Sequence, residues 1–169
     1  MTSTVAAHLE SDQRSEPQSD TAGVIAPPPL IYLGAFGIGF GLDAIIGTGS
    51  LPSAVAVPVG AASIIAGAGL LGSFLQAFRR AETPVDPYTP SEAIVTDGPY
   101  RLTRNPAYLG MALMYAGIAI VANASWALVP LPVAIAVIDR GVIAREERYL
   151  ERKFGTAYVD YKRRVRRWV

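Results

Sequence analysis

The groups in this sequence that could do chemistry are concentrated in one stretch, residues 97–110, between two strongly apolar blocks. Pro99 and Pro106 indicate turns, because proline fixes its own φ and restricts the residue before it. Arg101 and Arg104 supply permanent cations with forked donors, and two tyrosines supply flat faces with polar tips. Such a loop before an apolar helix is typical of a binding site at a membrane surface. A basic loop that only orients the chain in the membrane fits the pattern equally well.

A second group of ionisable residues, Glu146 and Glu147, follows the last apolar block. Successive helix residues point about 100° apart, so at most one of these carboxylates should face a central groove. The other should pair with a cation on the outer face. Ordinary surface salt bridges, for example from Glu147 to Arg148 or Lys153, are the simpler interpretation of such a pair.

The composition excludes several kinds of chemistry. Cysteine is absent, which excludes disulfides, thiolate nucleophiles and Cys-ligated metals. The single histidine, His8, lies in a polar tail, which argues against His-dependent triads and His-based metal clusters. A site here must therefore use carboxylates, arginines, tyrosines, backbone groups or a cofactor. We expect neither a metal nor a nucleic acid as a partner.

The apolar blocks that position these groups predict an all-α integral membrane protein. Hydrophobic residues make up 51% of the chain and charged residues only 17%, below the roughly 25% usual in soluble proteins. We expect a disordered tail over 1–29, without the features of a cleaved signal peptide, and one membrane domain over 30–169. The predicted transmembrane helices are about four, over 30–46, 54–78, 107–121 and 125–144.

The last two predicted helices come from one uncharged run, 107–138. As a single helix it would be about 48 Å long, which exceeds the roughly 30 Å apolar core of a bilayer. Asn123 and Pro130 lie in its middle, so we predict a helical hairpin with a tight turn. Asp43, near the end of the first helix, is either a functional intramembrane carboxylate or, as its position favours, an interfacial helix-end residue.

The basic residues predict the orientation in the membrane. Fourteen of the fifteen Lys and Arg lie in 79–106 and 140–169, and the predicted turns 47–53 and 122–124 contain none. Basic loops stay in the cytoplasm. We therefore expect both termini on the cytoplasmic side, together with the chemistry-bearing segments 79–106 and 145–169.

Together these features resemble the isoprenylcysteine carboxyl methyltransferase family and, more widely, the phospholipid methyltransferase-like membrane enzymes. The resemblance covers about residues 83–168, with the motifs in the right order and spacing. They are Val95-Thr96-Asp97-Gly98-Pro99-Tyr100, Arg104-Asn105-Pro106-Ala107-Tyr108-Leu109-Gly110, Arg145-Glu146-Glu147-Arg148-Tyr149-Leu150, Phe154-Gly155, Tyr158 and Tyr161-Lys162.

The resemblance implies an S-adenosylmethionine-dependent methyltransferase that acts on a lipophilic or membrane-embedded acceptor. It implies a cytoplasmic cofactor pocket built from the loop before the third predicted helix and from a helical C-terminal region. We expect Arg104, in that loop, and Glu146 to be catalytic. Arg140 and Arg145 are candidates for substrate binding. The residues implied in cofactor binding are Glu92, Ala93, Ile94, Val95, Gly98, Tyr100, Asn105, Pro106, Ala107, Tyr108, Glu146 and Glu147.

Two positions depart from the family's pattern. Asn105 stands where family members usually carry histidine, and it cannot titrate as an imidazole does. Val142 stands where the eukaryotic enzymes carry a substrate-binding arginine, and Arg140 and Arg145 are near but off register. The missing arginine argues against prenylcysteine as the acceptor. The residues leave open a carboxylate, a thiol, an amine or a lipid hydroxyl.

Two other functions are compatible with the same residues. Membrane steroid and sterol reductases carry a similar Arg-x-Pro-x-Tyr-x-Gly loop and bind NADPH, although their chains are usually longer. A non-enzymatic scaffold whose basic tail binds anionic lipid is the third hypothesis. Binding of S-adenosylhomocysteine, of NADPH or of neither distinguishes the three.

Overall fold

The structure, a computed structural model, describes residues 22–47, 51–83 and 93–169. Most of the predicted N-terminal tail and Glu92 lie outside these residues. Within them the chain is helical and contains no β-strand. The α-helices are α1, Pro28–Ile46; α2, Ser53–Arg80; α3, Pro106–Val121; α4, Leu131–Ile138; α5, Ala144–Phe154; and α6, Thr156–Arg164.

Three short elements connect these helices. A 3₁₀ helix, Gly98–Arg101, precedes α3, and a second, Ser125–Leu128, follows it. A π-helical turn, Asp139–Ile143, joins α4 to α5 without a break in the helix. π turns of this kind occur frequently at functional sites, because the extra residue rotates the helix that follows. Here it lies one turn before Glu146.

Three helical stretches in the described part are long and apolar enough to cross a membrane. They are Pro28–Ile46, Ser53–Arg80 and Ser125–Phe154. The apolar helix α3 has 16 residues and is about 24 Å long at about 1.5 Å per residue, somewhat less than a bilayer core. The all-helical architecture is therefore confirmed, whereas four crossings and a terminal hairpin stay predictions.

Helices α2 and α3 pack closely through glycines spaced seven residues apart on each helix. A Cβ added to Gly60 would lie 2.7 Å from the carbonyl oxygen of Gly117, and one added to Gly67 would lie 2.6 Å from that of Gly110. The contact is reinforced by Ser63, whose hydroxyl donates to the Leu113 carbonyl at 2.8 Å. Small residues permit such close approach between apolar helices, which is how helices associate in a membrane.

Helix α1 packs against the connection between α3 and α4. Gly39 approaches the Ala127 backbone so closely that a Cβ would lie 2.6 Å from Ala127 Cα. Asp43 is buried, and its Oδ1 accepts a hydrogen bond from the Trp126 N–H at 3.2 Å. This carboxylate therefore caps the second 3₁₀ helix from a neighbouring element, a more specific role than the expected interfacial helix end.

Candidate functional site

A cavity of about 700 Å³ lies at the end of the bundle where α1 begins, α2 ends and α3 begins. Its wall is mostly apolar and includes several polar groups. The apolar and aliphatic lining comes from Ala22, Pro27, Pro28, Pro29, Leu71, Phe74, Phe78, Ala107, Met111, Ile143 and Leu150. The polar and aromatic lining comes from Tyr100, Arg104, Asn105, Tyr108, Glu146, Glu147, Tyr149 and Tyr158.

The Glu146 carboxylate is held on the cavity wall by a tyrosine from α3. The Tyr108 hydroxyl donates a hydrogen bond to Glu146 Oε1 at 2.6 Å. The backbone of Tyr108 is fixed in turn, because its carbonyl accepts from the Tyr32 hydroxyl of α1 at 3.0 Å. Three elements thus position one carboxylate, which is what recognition of a cationic group requires.

The Arg104 side chain is only 9% exposed and carries uncommitted hydrogen-bond donors. Its Nη1 lies 2.9 Å from Glu147 Oε1, an ion-pair distance. Even so, neither Nη1 nor Nε makes a well-directed hydrogen bond to any described residue. Buried donors are normally satisfied. Arg104 also lines the cavity, so its guanidinium is within reach of an anionic ligand group there.

Glu147 lies at the centre of a buried ionic cluster. It is 5% exposed, and both of its oxygens contact the guanidinium of Arg167. Arg104 lies on its other side, and Lys162 Nζ is 3.7 Å from Oε2. Two of these three cations have a second carboxylate partner, since Arg167 pairs with Asp139 at 3.0 Å and Lys162 pairs with Glu151 at 2.5 Å. The charges of the cluster therefore balance.

The expectation that only one of the adjacent glutamates faces inward is wrong. Both Glu146 and Glu147 line the cavity, and Glu147 pairs with Arg104, Arg167 and Lys162 rather than with neighbours on its own helix. Adjacent side chains still diverge. However, α3 covers one side of α5 and the C-terminal residues cover another, so both side chains contact other elements.

Aromatic rings form the wall between the loop and α2. The ring of Tyr100 lies 6.3 Å from Phe74 and 6.1 Å from Phe78, centroid to centroid. Burial, followed by the nearby Glu146 carboxylate, raises the pKa of Tyr100 well above its usual value. Burial and then Glu147 raise the pKa of Tyr158 to about 12. Both hydroxyls therefore stay protonated at neutral pH.

A smaller cavity of about 90 Å³ adjoins the same loop. The extended segment 93–95 forms one of its walls, and Tyr100 and Arg104 belong to both cavities. Tyr161 closes another side, and its hydroxyl donates to the Tyr100 carbonyl at 2.8 Å. The backbone of 93–95 is thus placed within reach of a ligand that fills the region around Arg104.

Most of the site residues suggested by the sequence lie on these two cavities, and some do not. Those on a cavity wall are Ala93, Ile94, Val95, Tyr100, Arg104, Asn105, Ala107, Tyr108, Glu146 and Glu147. Pro106 is buried but lines neither cavity, and Gly98, with φ +61°, is the exposed first residue of the first 3₁₀ helix. Arg140 and Arg145 are exposed and line neither cavity, and Arg145 instead donates to the Gly23 carbonyl at 2.8 Å. Glu92 lies outside the described residues.

Sequence reasoning missed two groups of residues at the site. The first consists of Phe74 and Phe78 at the end of α2, where the sequence is typical of any membrane-spanning helix. The second is Arg167 with Asp139, which the sequence assigns to a basic tail and to a helix exit. An aromatic pair spaced i, i+4 next to a helix end could have indicated the first group. No local pattern indicates the second.

The described residues offer no group of three or more His, Asp or Glu side chains placed to hold a metal ion. The donor set in the large cavity is a guanidinium, carboxylates, an amide and phenols. These groups are complementary to organic ligands that carry both a positive and a negative charge.

Comparison with known proteins gives a family match for more than half of the chain. Residues 55–157 match the sequence profile of the family described as "Phospholipid methyltransferase". A protein from Haemophilus influenzae, described as an uncharacterized protein, is 42% identical over 62 residues, which is 98% of its length and 37% of this chain. No solved structure matches the chain. The profile includes α3, α5 and the loop that carries Arg104.

Proposed function

The chain belongs to the phospholipid methyltransferase family, and we propose that it transfers a methyl group from S-adenosylmethionine to a lipophilic or membrane-embedded acceptor. Membership of this family, together with three apolar helices, identifies a membrane protein. The observation that carries the proposal is the composition of one cavity. It joins an apolar wall to an arginine and to a carboxylate that a tyrosine holds in position.

The residues present fit this cofactor. S-adenosylmethionine carries a carboxylate, an ammonium, a sulfonium and an adenosine. Arg104 lines the cavity, and a guanidinium binds a carboxylate through parallel hydrogen bonds. Glu146 and the faces of Tyr100 and Tyr108 provide a carboxylate and π surfaces for the cationic groups. The backbone of 93–95 is available to the adenosine.

The protein's part in the reaction is positioning, since the cofactor when bound supplies an electrophilic methyl group on a good leaving group. The chain holds two reactants in line and excludes water, which can account for a large share of the rate. Glu146 Oε1 accepts a hydrogen bond from the Tyr108 hydroxyl. The same carboxylate can take the proton that an N–H, O–H or S–H acceptor loses on methylation.

The acceptor enters the cavity from its apolar side in this proposal. Pro27, Pro29, Leu71, Phe74 and Met111 offer no hydrogen-bonding side chains and suit an alkyl or prenyl chain. The polar wall then receives the group to be methylated. An apolar pocket with a few convergent polar groups is the usual form of a small-molecule site.

We place this cavity at the cytoplasmic face of a four-helix membrane domain over 30–169. The cavity lies at the end of the bundle where α2 ends in Arg79 and Arg80. Arginines next to a membrane-spanning helix favour the cytoplasmic side of the membrane. In this arrangement α3 and the stretch Ser125–Phe154 form a hairpin, and the C-terminal region that holds the cofactor is cytoplasmic.

Ligand binding to the purified protein in detergent tests the proposal. We expect S-adenosylhomocysteine to raise the midpoint of thermal unfolding and NADPH to leave it unchanged, because a ligand that binds only the folded state stabilises it. Arg104→Ala and Glu146→Gln should abolish this shift. Arg101→Ala is the matched control, since Arg101 is in the same loop but its side chain is 75% exposed and pairs only with Asp97 among the described residues.

Stabilisation by NADPH instead would favour a membrane reductase. No shift with either nucleotide would favour a lipid-binding scaffold. Wild-type shifts in both Arg104→Ala and Glu146→Gln would show that the site residues are wrongly assigned, even if S-adenosylhomocysteine binds.

A further inference from the structure

The last five residues, 165–169, form a non-helical segment that we call the C-terminal strap. It follows α6 and lies against the loop before α3. The Arg104 N–H donates to the Arg166 carbonyl at 3.0 Å. The Thr103 hydroxyl and the Asn105 side-chain amide both donate to the Arg167 carbonyl, at 3.0 Å and 2.9 Å. Three consecutive loop residues therefore depend on the strap for their hydrogen bonds.

The side chains of the strap bind two carboxylates on the neighbouring helix. Arg167 Nε and Nη2 donate to the two oxygens of Glu147, at 3.1 Å and 2.5 Å. Its Nη1 donates to Asp139 Oδ2 at 3.0 Å, and Trp168 Nε1 donates to Asp139 Oδ1, also at 3.0 Å. A two-pronged contact of this kind fixes the carboxylate plane of Glu147 as well as its position.

The contact of Arg167 with both oxygens of Glu147 determines how Glu147 can interact with Arg104. Both oxygens of Glu147 are engaged by Arg167, and Arg104 sits beside Oε1 at 2.9 Å without a directed hydrogen bond. Glu147 thus neutralises charge near Arg104 but leaves the Nε and Nη1 donors uncommitted. Arg104 lines the cavity, so its guanidinium is within reach of a ligand there.

Without Arg167, Glu147 would need another strong partner, because a carboxylate this deeply buried is costly to leave unpaired. Lys162 is farther away, at 3.7 Å, and is already bonded to Glu151. Arg104 is the nearest remaining cation. A rotation of Glu147 would form a two-pronged pair with Arg104 and occupy the donors that a ligand needs.

We infer that Arg167 is a positioning residue that keeps Glu147 from forming a two-pronged pair with Arg104, so that the Arg104 guanidinium can bind the anionic group of the ligand. This inference rests on the proposed function for the identity of the ligand. It assigns Arg167 no contact with substrate or cofactor.

The test is calorimetric binding of S-adenosylhomocysteine to the full chain in detergent. Arg167→Met should weaken binding about tenfold or more, which corresponds to the loss of roughly one charge-assisted hydrogen bond. Adding Glu147→Gln to Arg167→Met should restore affinity to within about threefold of wild type, because the neutral amide no longer competes strongly for Arg104. Arg166→Ala is the matched control, since it is exposed and contributes its backbone carbonyl to the loop.

A purely structural role for Arg167 predicts a different result, in which the double variant binds no better than Arg167→Met. That result, or wild-type affinity in Arg167→Met, would overturn the inference while leaving the proposed function intact. Absence of binding by the wild type would overturn both. If Arg167→Met does not fold, Arg167→Lys with and without Glu147→Gln gives the same comparison, because a lysine cannot form the two-pronged contact.

Discussion

The hydrogen bond between Tyr108 and Glu146 provides a sharp test of the site. Tyr108→Phe keeps the aromatic ring and its packing on the cavity wall but removes the hydroxyl that donates to Glu146 Oε1 at 2.6 Å. Hydrogen bonds to charged groups contribute about 1.5–3 kcal/mol. If Glu146 must be held in place to bind a cationic group and to accept a proton, losing this hydrogen bond weakens transition-state stabilisation by a similar amount. We therefore expect kcat/KM to fall about 10- to 150-fold.

A matched control lies on the same helix seven residues further on. Tyr115 is also buried, and its hydroxyl donates to the Ala127 carbonyl at 2.8 Å, but it does not line the cavity. Tyr115→Phe should therefore lower the free energy of unfolding by about 1 kcal/mol and leave kcat/KM unchanged. The assay is transfer of labelled methyl groups from S-adenosylmethionine into lipid. Equal activity of Tyr108→Phe and Tyr115→Phe would refute the role given to Glu146.

Three further predictions concern the stability of the fold. Gly67→Ala should destabilise the protein by about 1–3 kcal/mol, because the added Cβ would overlap the Gly110 carbonyl. Gly69→Ala should be neutral or slightly stabilising, because its Cβ would meet open space. Chemical unfolding in detergent measures both effects. Asp43→Ala removes the acceptor of the Trp126 N–H and should cost about 1–3 kcal/mol in the same assay. Because burial raises the pKa of Tyr158 to about 12, the folded state loses stability as pH rises from about 10 to about 12, and Tyr158→Phe should reduce that loss.

The helices could be predicted closely from the sequence because their lengths are set by apolar runs. The run predicted over 54–78 forms a helix over Ser53–Arg80, and the run predicted over 107–121 forms one over Pro106–Val121. In a membrane protein every backbone group must be satisfied within the segment, so an uncharged run of this length folds as a helix. Prolines and basic residues then fix where each run ends.

The arrangement around Glu147 could not be predicted because it depends on contacts between distant segments. Arg167 is twenty residues beyond Glu147 and Arg104 is forty-three before it, and no periodicity links the three. The π turn at Asp139–Ile143 is equally hidden, since its sequence is compatible with a regular helix. The sequence therefore predicts which residues belong to the loop and to α5, but not how the C-terminal strap closes over them.

The central claim is that one cavity brings Arg104 and Glu146 together to bind S-adenosylmethionine beside a lipophilic acceptor. The most direct measurement is transfer of labelled methyl groups by the purified protein in vesicles of total lipid from the expression host. We predict label in the lipid fraction with the wild type and Arg101→Ala, and about 100-fold less with Arg104→Ala and with Glu146→Gln. Equal labelling by all four proteins, or none by the wild type in vesicles that contain its acceptor, would contradict the account.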